Sequence, residues 1–196
     1  MGFFVFTSTS AESSSVYTNK DWNFQIDLPN GWYLTEIDSL IERFNQEKQY
    51  KQADFIKKSG LVVSASQFSP DQKAEFNPNI NISSRNIEIA PAPNRSQLIA
   101  YAKQILLSLV PKGNNLAVDE ISFNNSIGVQ SSYQYQLPGN KILNVLALAT
   151  IIIDEQANNY FIIVASCPEE NRKIYEDLFR DTVKSFKLLK EIRDEG

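Results

Sequence analysis

From residue 143 to residue 153 the chain reads LNVLALATIII, apolar at nearly every position. A strand that packs on one face alternates apolar and polar residues, whereas one covered on both faces is apolar throughout. Its neighbours also read as strands. Before it, Ile127, Val129, Ser131, Tyr133, Tyr135 and Leu137 alternate with Gln130, Ser132, Gln134 and Gln136, and Leu137-Pro138-Gly139-Asn140 turns the chain. After it, Asp154 to Asn159 forms a loop and Tyr160 to Ala165 another strand. A shorter strand over 116–123 precedes this meander. Strands in runs with few helices between them argue for an α+β fold, an antiparallel sheet with helices packed on it.

The other elements fit that class. Phe24, Ile26 and Leu28 alternate as a half-buried strand, and Pro29-Asn30-Gly31 turns before Trp32. Ile37, Leu40, Ile41 and Phe44 stand at helical spacing, which predicts one helix from about Thr35 to Lys58, ended by Gly60. Strands follow at 61–65 and 80–89, the second with an irregularity around 83–86. Leu98, Ala102, Ile105, Leu106 and Leu109 predict a helix opening near Asn94 or Ser96. A last helix spans 168–183, with Ile174, Tyr175, Leu178, Phe179 and Thr182 on its buried face and Glu169 and Glu170 at its positive end. No repeat or linker interrupts residues 16–190, so one domain is expected. Its core should hold Trp32, Leu106, Tyr133, Ile151, Ile163, Leu178 and Phe186 in one contiguous cluster.

Absences narrow the chemistry. The 196 residues include no histidine, which removes Ser-His-Asp and Cys-His constellations, histidine zinc sites and histidine general bases. The single cysteine, Cys167, precedes Pro168 at a strand-to-helix junction and reads as a small packing residue. One thiol and no imidazole leave no zinc or redox-metal site, and no cofactor is expected. The seven glycines fall in no phosphate-binding spacing, and there is no G-x-S-x-G elbow. Asp119 and Glu120 are neighbours in a strand and point to opposite faces. No catalytic residue is assigned. The net charge of −4 and the lack of a basic stripe exclude nucleic acid as a partner. Lys48, Lys51, Lys57 and Lys58 are interleaved with Glu47 and Asp54, the pattern of a solvated helix face.

Phe3 to Phe6 form a short apolar run followed by Thr7 to Ala11, small residues that match an export cleavage site. Residues 1–15 are read as a truncated export-signal remnant or a flexible start, and 191–196 as a flexible end. Nothing approaches the roughly 20 apolar residues of a transmembrane helix, so no integral membrane insertion is expected.

The opening VYTNKDWNFQIDLPNGW, Val16 to Trp32, resembles the start of the PsbP-like family, where an aromatic strand leads into Pro-x-Gly-Trp. The end resembles it too: a strand (ATIII), a turn, a strand (NYFIIVASCP), an acidic helix start (EEN) and a closing V-x-S-F-K at Val183, Ser185, Phe186 and Lys187. The resemblance implies an antiparallel sheet with helices on both sides, as in the wider DcrB-like fold group. It also implies a non-catalytic, extracytoplasmic protein (periplasm, extracellular space or thylakoid lumen); a monomer is the favoured oligomeric state. Its expected partner is a protein, a membrane-associated complex, of photosystem II type in a photosynthetic host. Trp22 is a candidate partner contact, as are Gln46, Lys48 and Lys51 on the long helix, whose polar stretch has no buried face to serve. A solvated surface helix is the competing reading of that stretch. Two other classes stay open: an envelope small-ligand-binding or carboxylate/tyrosine-based enzymatic domain, and a purely structural envelope component.

Overall fold

The computed structural model describes residues 16–69, 72, 74–87, 93–111, 116–123, 126–138, 141–154 and 159–189. The proposed signal remnant at 1–15 and the C-terminal 191–196 lie outside them, as does most of the loop after Asp154. The described elements run β1 (Val16–Asn19), β2 (Phe24–Asp27), β3 (Tyr33–Thr35), α1 (Ile37–Gln46), α2 (Tyr50–Ser59), β4 (Leu61–Ser66), β5 (Asn79–Asn86), α3 (Arg95–Leu109), β6 (Asp119–Phe123), β7 (Ser126–Leu137), β8 (Leu143–Asp154), β9 (Asn159–Pro168), a 3₁₀ turn (Glu169–Asn171), α4 (Arg172–Lys184) and β10 (Lys187–Leu188). Seven strands form one antiparallel sheet in the order β3-β4-β5-β9-β8-β7-β6, and a small sheet β1-β2-β10 lies beside it.

The apolar run is β8, and both of its faces are indeed covered. Leu146, Leu148 and Ile152 join Phe161 and Ile163 of β9 and Ile80 and Ile82 of β5 beneath α4 and the small sheet. There the Phe24 ring lies 5.3 Å from both Phe161 and Phe186. On the opposite face Ala149, Ile151 and Ile153 pack with Ile127, Val129 and Tyr160 beneath Leu98, Ala102 and Leu106 of α3. Helices on both sides of an antiparallel sheet are what was expected. The single contiguous core was not: a doubly covered sheet has one cluster per face, so Leu106 and Ile151 belong to one and Ile163 and Phe186 to the other. Each fully buried Ile, Leu or Phe contributes about 1.5–3 kcal/mol.

Trp32, Tyr133 and Leu178 are half-buried at the margins of these clusters. Trp32 meets Tyr175 and Phe179 edge-on, at 6.5 and 6.3 Å. Ile174 departs from its expected place and is 68% exposed, because α4 faces the sheet with Tyr175, Phe179, Thr182 and Val183. The irregularity expected in β5 sits instead on its partner, between Leu61 and Val63 of β4. The α3 start is as expected. The Gln97 amide donates to Asn94 Oδ1 (3.0 Å) and the Asn94 amide to Gln97 Oε1 (2.9 Å), a capping box.

The helix expected over 35–58 is two helices. After a short β3 that reached no further than Thr35, α1 ends at Gln46 and α2 begins at Tyr50. Lys48 lies at φ 60°, the left-handed region. Its amide donates to the Asn45 carbonyl (3.1 Å) and that of Gln49 to the Phe44 carbonyl (2.7 Å). This pair of bonds is a Schellman motif, which closes a helix and turns the chain. The two helices form a hairpin that packs on β4.

Candidate interaction surface

Trp22 stands in the β1–β2 turn, which Asn19 shapes. Asn19 Oδ1 accepts from the Trp22 amide (2.9 Å), and Asn19 Nδ2 donates to the Tyr17 hydroxyl (3.1 Å). Asn23 completes the turn at φ 49°, a conformation asparagine tolerates better than most residues. The turn sets Trp22 and Tyr17 along one side of an open cleft of about 460 Å³. Leu34 of β3, Val63 of β4 and Ile37 of α1 also line it, as do three carboxylates, Asp21, Glu36 and Asp38, and among the described residues no lysine or arginine. Glu36 and Asp38 sit at the N-terminus of α1, where the helix dipole favours negative charge. Asp21 has no such local reason. On edge strand β3, Leu34 lines this cleft and is 48% exposed, while Tyr33, its neighbour on the strand, is 49% exposed and lies outside the lining.

The other candidate residues do not join Trp22. Gln46 is exposed on the last turn of α1, Lys48 forms the break, and Lys51 lies in the first turn of α2. Ten residues of α1 separate its two ends by about 15 Å. The cleft and the hairpin tip are therefore distinct surfaces. Phe55, which sequence reasoning had not singled out, is 72% exposed on α2, and Tyr50 58%. Alignment of α2 on its one buried residue, Ala53, was the signal that points Phe55 outward.

The titratable groups of the interior are arranged for packing. Cys167 is fully buried. Burial, reinforced by the Glu169 and Glu176 carboxylates, pushes its thiol up to about 11. Burial also raises Tyr133 and Tyr135 above the ordinary tyrosine value, with Tyr135 adding to the shift at Tyr133. Tyr175, raised by burial as well, donates its hydroxyl to Gln67 Oε1. Glu176 goes the other way. Its bonds to Arg172 (2.8 Å) and Arg180 (3.0 Å) hold the carboxyl below the usual range. Arg180 also donates to Gln130 Oε1 (3.0 Å), and Gln130 Nε2 donates to Thr150 Oγ1 (2.8 Å), which ties α4 to the middle of the sheet. A general base works best with a pKa near the operating pH; these shifts move tyrosines up and a carboxylate down, away from it. Among the described residues no three Cys, Asp or Glu side chains group as a metal site.

No family model and no curated protein matches the chain. Solved structures do. The solution structure of cyanobacterial PsbP (CyanoP) from Synechocystis sp. PCC 6803 is similar over 88% of this chain and 91% of its own, with a TM-score of 0.53 and 13% identity. A crystal structure from Bacteroides thetaiotaomicron is similar over 90% of this chain and 48% of its own, at 15% identity and a TM-score of 0.48. The Saccharomyces cerevisiae Ran-binding protein Mog1p is similar over 89% of this chain and 94% of its own, at 10% identity and 0.48. At such identities a likeness is one of fold and carries no function. The chain has the α+β fold of cyanobacterial PsbP, and the resemblance seen at its two ends holds at that level.

Proposed function

We propose that this chain is an exported, non-catalytic docking domain that binds a protein subunit of a membrane-associated complex, of photosystem II type in a photosynthetic host. The contact is the Trp22 cleft together with edge strand β3. One observation carries the reading. Leu34 stands about half exposed on a sheet edge, in the lining of a concavity walled by Trp22 and Tyr17. Partly exposed aromatic residues around a recess are the anchors that interfaces use. The carboxylates Asp21, Glu36 and Asp38 select a partner surface that presents lysine or arginine around an apolar anchor.

The test is co-purification from the native host with Trp22→Ala and Leu34→Glu chains against the unaltered chain. Leu34 is about half exposed, so Leu34→Glu should keep its thermal midpoint to within a few degrees. Trp22 packs against the core on its inner side, so Trp22→Ala is read only with a thermal midpoint showing that it folds. The expected result is loss of the same protein band from both variants, with weaker recovery from the unaltered chain at high salt. Equal recovery from all three would reject the cleft as the docking site. Edman or mass-spectrometric reading of the native N-terminus tests export: a start near Ala11 or Glu12 supports it, and an intact Met1 opposes it.

A further inference from the structure

We propose that α2 is a membrane-surface contact, whose outward face rests on an anionic lipid bilayer with Phe55 entering the interface between Lys51 and Lys58. The face is set by helix geometry. Ala53 is the one buried residue of α2, and Ile56 beside it is half-buried. Lys51, Phe55 and Lys58, spaced i, i+4 and i+7, stand together on the opposite side. Phe55 is 72% exposed there, and a solvated helix face gives no reason for a phenylalanine at that position.

Charge points to the same occupant. Lys48, Lys51, Lys57 and Lys58 run along the hairpin from its turn to the last turn of α2, against Glu47 and Asp54, a local positive excess on a chain of net charge −4. Lys103, Arg172, Arg180 and Lys184 all pair with carboxylates. Among the described residues these four lysines of the hairpin pair with none, and Gln49 Nε2 bonds the Glu47 carboxylate (2.9 Å). Unpaired lysines are free to neutralise lipid phosphates, each worth about fivefold in binding to an anionic surface. Their alkyl stems lie along the apolar boundary while the ammonium groups stay wet. The face is convex. A rigid protein partner would need a pocket shaped for Phe55, whereas a fluid interface opens around it. No described helix is long and apolar enough to cross the bilayer, so the contact is peripheral. It is a different surface from the Trp22 cleft, whose lining takes in Leu61 and Val62 just after α2 but none of Lys51, Phe55 and Lys58.

The test is flotation of the full chain with phosphatidylcholine vesicles containing about a third phosphatidylglycerol, at low and high salt, against pure phosphatidylcholine. The unaltered chain should float with the anionic vesicles and be released when salt shortens the range of the attraction. Lys51→Glu/Lys58→Glu should lower the partition coefficient by at least about tenfold. Phe55→Ala should lower it by about tenfold, the loss of a buried aromatic ring. Lys173→Glu, at an exposed position of α4, changes net charge without touching this face and should bind as the parent does. Thermal midpoints of all variants report that they fold. Four outcomes overturn the proposal: no flotation of the parent, equal flotation on uncharged vesicles, undiminished binding by both α2 variants, or the same loss from Lys173→Glu. Retention on an acidic protein or on nucleic acid without vesicle binding would likewise assign the face to another partner.

Discussion

Lys48→Gly is expected to stabilise this chain, and Gly60→Ala to destabilise it by more. Both residues follow a helix in the left-handed conformation, Lys48 at φ 60° after α1 and Gly60 at φ 69° after α2. A side chain in that region costs about 1–2 kcal/mol through the clash of Cβ with the backbone. Glycine removes this cost but loses about 0.5–1 kcal/mol more backbone entropy on folding. The difference leaves Lys48→Gly more stable by about 0.5–1 kcal/mol, a rise in thermal midpoint of about 1–4 °C for a chain of this size. At Gly60 the same strain returns and a steric term is added. A Cβ there would stand 2.5 Å from the Ser84 carbonyl oxygen. That backbone cannot retreat freely, because the Ser84 amide donates to the Gly60 carbonyl at 2.9 Å. Arg85 adds a second tie, from its guanidinium to the Lys58 (3.0 Å) and Ser59 (3.2 Å) carbonyls. A loss of at least about 2 kcal/mol is expected.

Thermal and urea unfolding followed by circular dichroism would measure both variants and their combination. The two sites share no partner, so the double variant should equal the sum of the singles to within about 0.5 kcal/mol. A Lys48→Gly chain no more stable than its parent would refute the strain argument. A Gly60→Ala chain that loses less than Lys48→Gly gains would refute the steric one.

Native Cys167, buried and held at about 11, should react with a thiol reagent at pH 8 at least about tenfold more slowly than the urea-unfolded chain. The same upward shift means that stability present below the ordinary thiol value of 9 declines as pH rises toward 11. Glu176 is shifted downward, so its contribution is present above the ordinary carboxylate range and is lost as pH falls through the lowered value. The midpoint difference between parent and Glu176→Gln should therefore shrink on acidification. Arg180→Met leaves the buried Gln130 Oε1 without its donor and should cost about 1–3 kcal/mol, whereas adding Gln130→Leu and Thr150→Val should recover most of it; a single variant within experimental error of the parent would show that water replaces the guanidinium.

The sheet was legible where burial wrote a pattern. β7 reads as alternating, and from Ser132 to Leu137 one side is indeed open. Ser126–Ser131, however, is buried on both faces, where Gln130 is accommodated by its bonds to Thr150 and Arg180. β8 does not alternate because both of its faces are packed with apolar side chains. The start of α3 was read near Asn94, and Gln97, which the sequence reading did not single out, completes the capping box there. What escaped was short or geometric. β3 and β10 have three and two residues, too few for any period to register. Ile174 reads as core on spacing alone, yet it falls just outside the arc of α4 that Tyr175, Phe179 and Val183 turn to the sheet. Two clusters instead of one followed from the same apolar run that was read correctly, since a strand buried twice divides the core it creates.

The surface was hidden by one backbone angle. In an unbroken helix, Lys48, Lys51 and Phe55 follow Phe44 at i+4, i+7 and i+11, which places all four on one side. The stripe Ile37, Ile41 and Phe44 would then carry two lysines inward with Phe55, an arrangement that no core accommodates without partners for the charges. Lys48 resolves the conflict by entering the left-handed region, a position where glycine or asparagine is the usual sign. The break frees α2 to choose its own buried residue, and it takes Ala53. Phe55 then moves from a plausible core residue to the outermost point of the helix, with its lysines beside it. Strain at Lys48 and exposure at Phe55 are thus two consequences of one event, and neither improves the packing of the monomer. A lipid surface that accepts Phe55 and both lysines supplies the stabilisation that the monomer lacks.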